Sequence, residues 1–129
     1  MAKKIVLVDT SILIDLFRKT DKSNSKLVAL VRQGYSFQIS AITEYEIFSG
    51  ATSNQLDYWN NLLEKIQVLP FDQSAVKAAV EINQFLKLKR KQIDIADLFI
   101  AATAISNNLP FATLNKKHFE RIEELVIIE

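Results

Sequence analysis

Ile5, Val6, Leu7 and Val8 form an unbroken aliphatic run that ends abruptly in Asp9, Thr10 and Ser11. A strand with one wet face alternates apolar and polar residues, and four aliphatics in a row leave no wet face. Such a strand reads as the central position of a parallel sheet covered by helices on both sides. It also puts Asp9 at the strand's carboxyl end, the edge at which open α/β sheets gather ligands and chemistry. Asp9 is either a turn residue or part of a site, and only residues elsewhere in the chain distinguish the two.

Strand and helix signals then alternate to the end of the sequence. Ile12-Leu13-Ile14 and Leu16-Phe17 make a short helix that Thr10 or Ser11 can cap, and residues 18–25 read as a polar loop. Leu27, Leu30 and Val31 mark one helical face, with Gly34 as its C-terminal stop. A strand over Tyr35–Ile39 leads into a helix over Ser40–Gly50, whose Ile42, Tyr45 and Phe48 are spaced for a buried or interfacial face. Leu56, Trp59, Leu63 and Ile66 outline another helix, Val68-Leu69 a short strand, and Ala75, Ala79, Ile82 and Leu86 a long helix running to about Leu88. The last third predicts a helix over Asp94–Asn107, with Ala101, Ala102 and Ala104 suited to close packing. After it come a strand over Pro110–Thr113, a short helix over Asn115–Ile122 and a strand over Leu125–Ile128. The expectation is one α/β domain over residues 1–129, a mostly parallel sheet between two layers of helices.

Composition removes several kinds of chemistry. The 129 residues include no cysteine and one histidine, which excludes disulfides, thiolate zinc sites and His-rich metal sites. A metal would have to sit on oxygen ligands, which favours magnesium, manganese or calcium. A formal net charge of +1 supplies no global field toward nucleic acid, so a polyanion would need local cationic clusters or a metal ion. The apolar runs are too short for a membrane span and the N-terminus lacks a signal-peptide core, so the expectation is a soluble cytoplasmic protein with no membrane association.

Three acids occupy comparable places: Asp9 after the first strand, Glu46 early in the helix after the second, and Asp97 in the first turn of the alanine-rich helix. In a parallel sheet all three can converge near the carboxyl edge. Carboxylates held that close repel, and a divalent cation on hard oxygen ligands removes the penalty. Each acid also has a plain structural reading. Thr43-Glu44-Tyr45-Glu46 fits a capping box, Asp94 can cap the helix that Asp97 enters, and Asp9-Thr10-Ser11 can be a strand-to-helix turn. Lys87, Lys89, Arg90 and Lys91 form a basic cluster that suits either RNA phosphates or a solvated helix end, and Arg18, Lys116 and Lys117 are further candidates for a cleft.

Motif wording separates these readings. Val6-Leu7-Val8-Asp9-Thr10-Ser11-Ile12-Leu13-Ile14 resembles the opening of PIN-domain proteins, especially the VapC toxins of bacterial toxin–antitoxin pairs. The family's second motif, an acid followed four residues later by glycine, resembles Ile42 to Gly50 and selects Glu46 over Glu44. Asp97-Leu98-Phe99-Ile100-Ala101-Ala102-Thr103-Ala104 is similar to the third, and Ala112-Thr113-Leu114-Asn115-Lys116-Lys117-His118-Phe119 to the fourth. The four motifs occur in order along nearly the whole chain.

The resemblance implies a three-layer α/β/α PIN-like domain and an endoribonuclease dependent on Mg²⁺ or Mn²⁺. Asp9, Glu46 and Asp97 would be its metal-holding residues and Asn115 a further catalytic one. Asp9 and Asp97 would be direct ligands, and Glu46 would bind through water or help to take the proton. It further implies a homodimer and a cognate antitoxin whose C-terminal segment lies across the site, with Leu16, Phe17, Tyr45, Phe48 and Trp59 as candidates for an apolar groove. The chain departs from the pattern in the fourth motif, where many relatives carry an aspartate at the place of Asn115 or His118. That departure leaves the number of ions open and favours one. Asp94 is the rival fourth acid, and His118 is either an RNA or proton-transfer contact or a solvent-facing ring. Ser11, Thr10 and Thr113 can orient water or an Asp9 oxygen. Two other functions stay open: a PIN-fold RNA- or protein-binding module with weak or no catalysis, and a receiver- or phosphatase-like domain with Asp9 as nucleophile. Ser11, where such phosphatases carry a second acid, weighs against the last.

Overall fold

The computed structural model describes residues 4–128. Four strands, β1 (Lys4–Val8), β2 (Tyr35–Ser40), β3 (Val68–Leu69) and β4 (Phe111–Ala112), form a parallel sheet in the order β3-β2-β1-β4. The helices are α1 (Thr10–Arg18), α2 (Lys26–Arg32), α3 (Ala41–Gly50), α4 (Leu56–Leu63), α5 (Gln73–Leu88), α6 (Ile95–Ser106) and α7 (Lys116–Phe119), with a 3₁₀ turn over Lys22–Asn24. The aliphatic run is the internal strand, as its composition requires. Pleating sends Leu7 to one face, where it joins Ala79, Ile82 and Leu86 of α5, Ala101, Ala102 and Ala104 of α6, and Phe111. Val6 and Val8 go to the other face, with Ile12, Leu13, Leu27, Leu30, Ile47 and Trp59 of α1 to α4. Two cores on opposite faces of one sheet give the three-layer α/β/α arrangement.

The strand order has a consequence for function. From β1 the chain steps to β2 and β3 on one side, then returns to add β4 on the other. The order therefore reverses between β1 and β4, and at such a switch point the loops after the two strands part and leave a crevice. Asp9 leaves β1 there, and Thr113 to Asn115 leave β4 beside it.

Several local expectations change. Asp9, rather than Thr10 or Ser11, caps α1 by accepting from the Ile12 N–H. Ser40 caps α3 by accepting from the Thr43 N–H at 3.1 Å, so Thr43 lies inside the helix and the capping box over Thr43–Glu46 does not form. Of the face expected to be buried or interfacial, Ile42 and Phe48 are partly buried while Tyr45 is 70% exposed, because α3 buries Thr43 and Ile47 instead. Asp94 holds the N-cap position of α6 without a side-chain bond to the helix. The helix expected over Asn115–Ile122 is confined to Lys116–Phe119. The strand expected over Leu125–Ile128 contracts to one parallel bridge, Phe111 with Ile127. Gly34 stands where expected, just past α2, at a φ of 95° that suits glycine.

Candidate active site

Asp9, Glu46, Asp97 and Asn115 line one cavity of about 660 Å³ at the carboxyl ends of β1 and β4. Helix α1 adds Thr10, Ser11, Asp15, Arg18 and Lys19. The sheet sets this convergence: Asp9 follows β1, Glu46 lies in the helix after β2, and Asp97 opens the helix that leads to β4.

Asp9 is buried, and two hydroxyls hold it. Ser11 donates to Oδ1 and Thr113 to Oδ2, both at 2.5 Å, and the Ile12 N–H reaches Oδ1 at 3.3 Å. The hydroxyls are themselves fixed from the β4 side, since the Leu114 N–H donates to Ser11 Oγ and the Asn115 N–H to Thr113 Oγ1. Residues more than 100 positions apart thus orient one carboxylate. Burial still pushes the Asp9 carboxyl above its ordinary value; the hydrogen bonds pull the other way, and the negative charge of Asp97 adds to the rise.

Asp97 is also raised, first by burial, against the opposing pull of His118. The His118 ring nitrogen Nδ1 lies 3.3 Å from Asp97 Oδ2, so the imidazole meets an acid rather than only solvent. Glu46 accepts a 2.6 Å hydrogen bond from the Thr10 hydroxyl, which also lies 3.2 Å from Thr43 Oγ1. Instead of bending back to its own helix, Glu46 is tied to α1. Asn115 sits exposed on the rim.

Each acid has its own partners, and among the described residues no three His, Asp or Glu side chains make a ready-formed metal cluster. The donors nevertheless suit a hard cation. All are oxygens on one cavity, and the two aspartates resist carrying charge together, a resistance that bound positive charge relieves.

Other candidates separate cleanly. Glu44 does not line the cavity, and Asp94 lies in a smaller adjoining one, where its charge raises Asp97. Arg18 lines the cavity as expected, while Lys116, Lys117 and the cluster from Lys87 to Lys91 do not. Lys19, expected only as part of the polar loop, and Asp15, not among the expected site residues, also line the cavity; they pair at 3.7 Å with i,i+4 spacing, and Asp15 also accepts from the Lys26 N–H. Beyond Glu46 and Arg18 a second cavity reaches Phe17 and Trp59, whose rings stack at 5.0 Å. Of the residues expected to line an apolar groove, Leu16 is buried in the core. Among the described residues no helix is long and apolar enough to cross a membrane.

Comparison with known proteins agrees with this architecture. The PIN domain family matches residues 6–125. Ribonuclease VapC1 of Methanocaldococcus jannaschii is 37% identical over 120 residues, covering 92% of this chain and 82% of that protein. The structure of VapBC-1 from nontypeable Haemophilus influenzae superposes with a TM-score of 0.82 at 27% identity, covering 97% of each chain. A toxin-antitoxin complex from Klebsiella pneumoniae gives 0.72 at 28% identity over 94% of this chain and 95% of that one. With this extent of similarity and a sheet whose switch point gathers the acids of all the acidic motifs, the chain belongs to the PIN-domain family, among the VapC ribonucleases.

Proposed function

We propose that this chain is a divalent-metal-dependent endoribonuclease, the toxin of a toxin–antitoxin pair, in which Asp9, Glu46 and Asp97 hold one Mg²⁺ or Mn²⁺ ion. VapC nucleases of the PIN family depend on a divalent metal. The observation that carries the reading to these residues is the shared cavity, which brings three oxygen-donor acids from three helix–strand units to the β1/β4 crevice. Asn115 offers no charge where a fourth acid would stand, which favours a single ion.

When bound, the ion lowers the pKa of water and offsets charge growing on a phosphoryl oxygen. The protein's own groups supply the rest. Ser11 and Thr113 keep Asp9 oriented and ionisable despite its burial. Asp97 stands in the first turn of α6, where the helix dipole favours its negative charge. Glu46, half-buried and steadied by the Thr10 hydroxyl, is the acid placed to take a proton on its carboxylate from the attacking water. Arg18 and Lys19 are the cations on the cavity wall, suited to a phosphate next to the scissile one. Asn115 at the rim can donate or accept toward water or the leaving oxygen.

The test is cleavage of an RNA panel that includes intact tRNA and ribosomal fragments, with Mg²⁺, with Mn²⁺ and with chelator. We expect a discrete cut that requires the metal and disappears in Asp97→Asn. Folded wild-type protein that cuts none of the panel with either metal would leave the binding-module alternative in its place.

A further inference from the structure

We infer that the RNA strand continues out of the catalytic cavity along a trough in which Arg121, Arg90 and Lys91 hold its phosphates. This rests on the ribonuclease reading and extends it from the reacting atoms to the path of the substrate.

Three cavities are linked in series by shared lining residues. The catalytic one includes Asp97 in its wall. A second, of about 210 Å³, shares Asp97, adds Asp94 and His118, and reaches Arg121. A third, of about 390 Å³, shares Arg121 and is bounded by Arg90, Lys91 and Glu120. The three cations are exposed, and against them the third cavity sets one acid.

The basic run that looks uniform in sequence is divided in the fold. Helix α5 ends at Leu88, and Arg90 takes a left-handed φ of 54° while the Lys91 N–H returns to the Leu86 carbonyl at 2.9 Å. Lys89 is drawn away to Glu123 at 3.4 Å and lies 4.4 Å from the Phe85 ring centroid. Arg90 and Lys91 line the third cavity instead. Arg121 sits at the junction, where one Nη1–H donates to the Gln92 carbonyl at 3.3 Å and steadies the guanidinium. An arginine has five N–H donors, so most remain for a phosphate.

The charge at both ends suits a polyanion. Arg18 and Lys19 stand on the wall of the catalytic cavity, with the carboxylates that would hold a cation; the second cavity sets Asp94 beside Asp97, together with His118 and Arg121; and Arg121, Arg90 and Lys91 stand beyond it. An acidic protein segment is the poorer fit. No apolar residue lines the third cavity and Ile93 is the one apolar residue lining the second, so anchoring side chains would find little to fill. A sugar–phosphate backbone needs only cations.

The experiment measures binding of an unstructured 15-mer RNA by fluorescence anisotropy across a salt series, using the full chain with Asp9→Asn so that the strand stays intact. Adding Lys91→Gln and Arg121→Gln should weaken binding about tenfold at 0.1 M salt. The slope of log K against log salt should fall by about 1.4, roughly 0.7 for each lost phosphate contact. Arg121→Lys should keep the slope, and Lys65→Gln, an exposed charge that lines none of the three cavities, should leave both quantities unchanged. The trough is overturned if the double variant binds RNA with the parent's affinity and slope, or does so while losing affinity for an acidic peptide. If wild-type protein binds through these cations yet cuts no RNA, the trough stands and the nuclease reading falls; if it cuts RNA and the double variant binds normally, the reverse holds.

Discussion

Thr113→Val removes one hydroxyl and keeps the shape of the side chain. The lost group donates to Asp9 Oδ2 at 2.5 Å and accepts from the Asn115 N–H at 2.9 Å. A hydrogen bond to a charged partner contributes about 1.5–3 kcal/mol, and Asp9 is buried, so solvent cannot replace the donor. The exposed Asn115 amide can turn to water and adds little. Metal-free Thr113→Val should therefore unfold about 1.5–3 kcal/mol more easily in urea, roughly 6–12 °C lower in Tm for a chain of this length. Losing a donor that favours the ionised carboxyl also raises Asp9 further, so Mn²⁺ affinity at neutral pH should drop by about 10–100-fold, as for other residues that support metal ligands. Calorimetric titration and urea unfolding read both effects, and Thr113→Ser should restore them. A Thr113→Val protein with unchanged stability and unchanged Mn²⁺ affinity would refute the claim that this hydroxyl holds Asp9.

Three further outcomes follow from other parts of the molecule. Thr10→Val leaves Glu46 without its 2.6 Å donor and should lower kcat by about tenfold with little change in KM, because Glu46 then lacks a fixed position for proton transfer; equal loss in KM would point to substrate binding instead. Burial raises Asp9 above its ordinary value of 3.8, so in metal-free protein its contribution is most favourable below that pH and is lost as pH rises through the raised value. Wild type should accordingly lose stability relative to Asp9→Asn as pH rises above about 4, which paired thermal melts without metal will show; a gap that moves the other way contradicts the assignment. Trp59→Ala deletes a ring that is 2% exposed and packed on Phe17 and Tyr58, and should cost about 3–5 kcal/mol in denaturant unfolding.

The order of strands and helices was legible because each element advertises its environment. Four aliphatics in a row, β-branched at Ile5, Val6 and Val8, suit an internal strand, and alanines at 101, 102 and 104 suit a helix pressed onto others. The acids were legible as a group through motif wording. Their partners were not, because Asp9, Thr10 and Ser11 are chemically interchangeable as helix caps. Only the register of β1 against β4 shows that Asp9 caps α1 while Ser11 joins Thr113 across more than 100 residues. The same holds at Ser40 and Thr43: choosing the first as the cap frees Glu46 for Thr10. The split of the basic cluster depends on one left-handed residue, Arg90, at a position where composition signals no turn. The closing strand became a single bridge because β4 itself spans only Phe111 and Ala112 and offers few groups to pair with.

The central claim is that one cation held by Asp9, Glu46 and Asp97 both occupies the β1/β4 crevice and supports RNA cleavage. Its most direct test follows Mn²⁺ binding by calorimetry and RNA cleavage by gel across one metal titration, in wild type and in folded Asp97→Asn. We expect one ion per chain, with binding and cleavage sharing a midpoint in wild type and both lost in the variant. Cleavage that survives in Asp97→Asn, or Mn²⁺ bound equally well by both proteins, would contradict it.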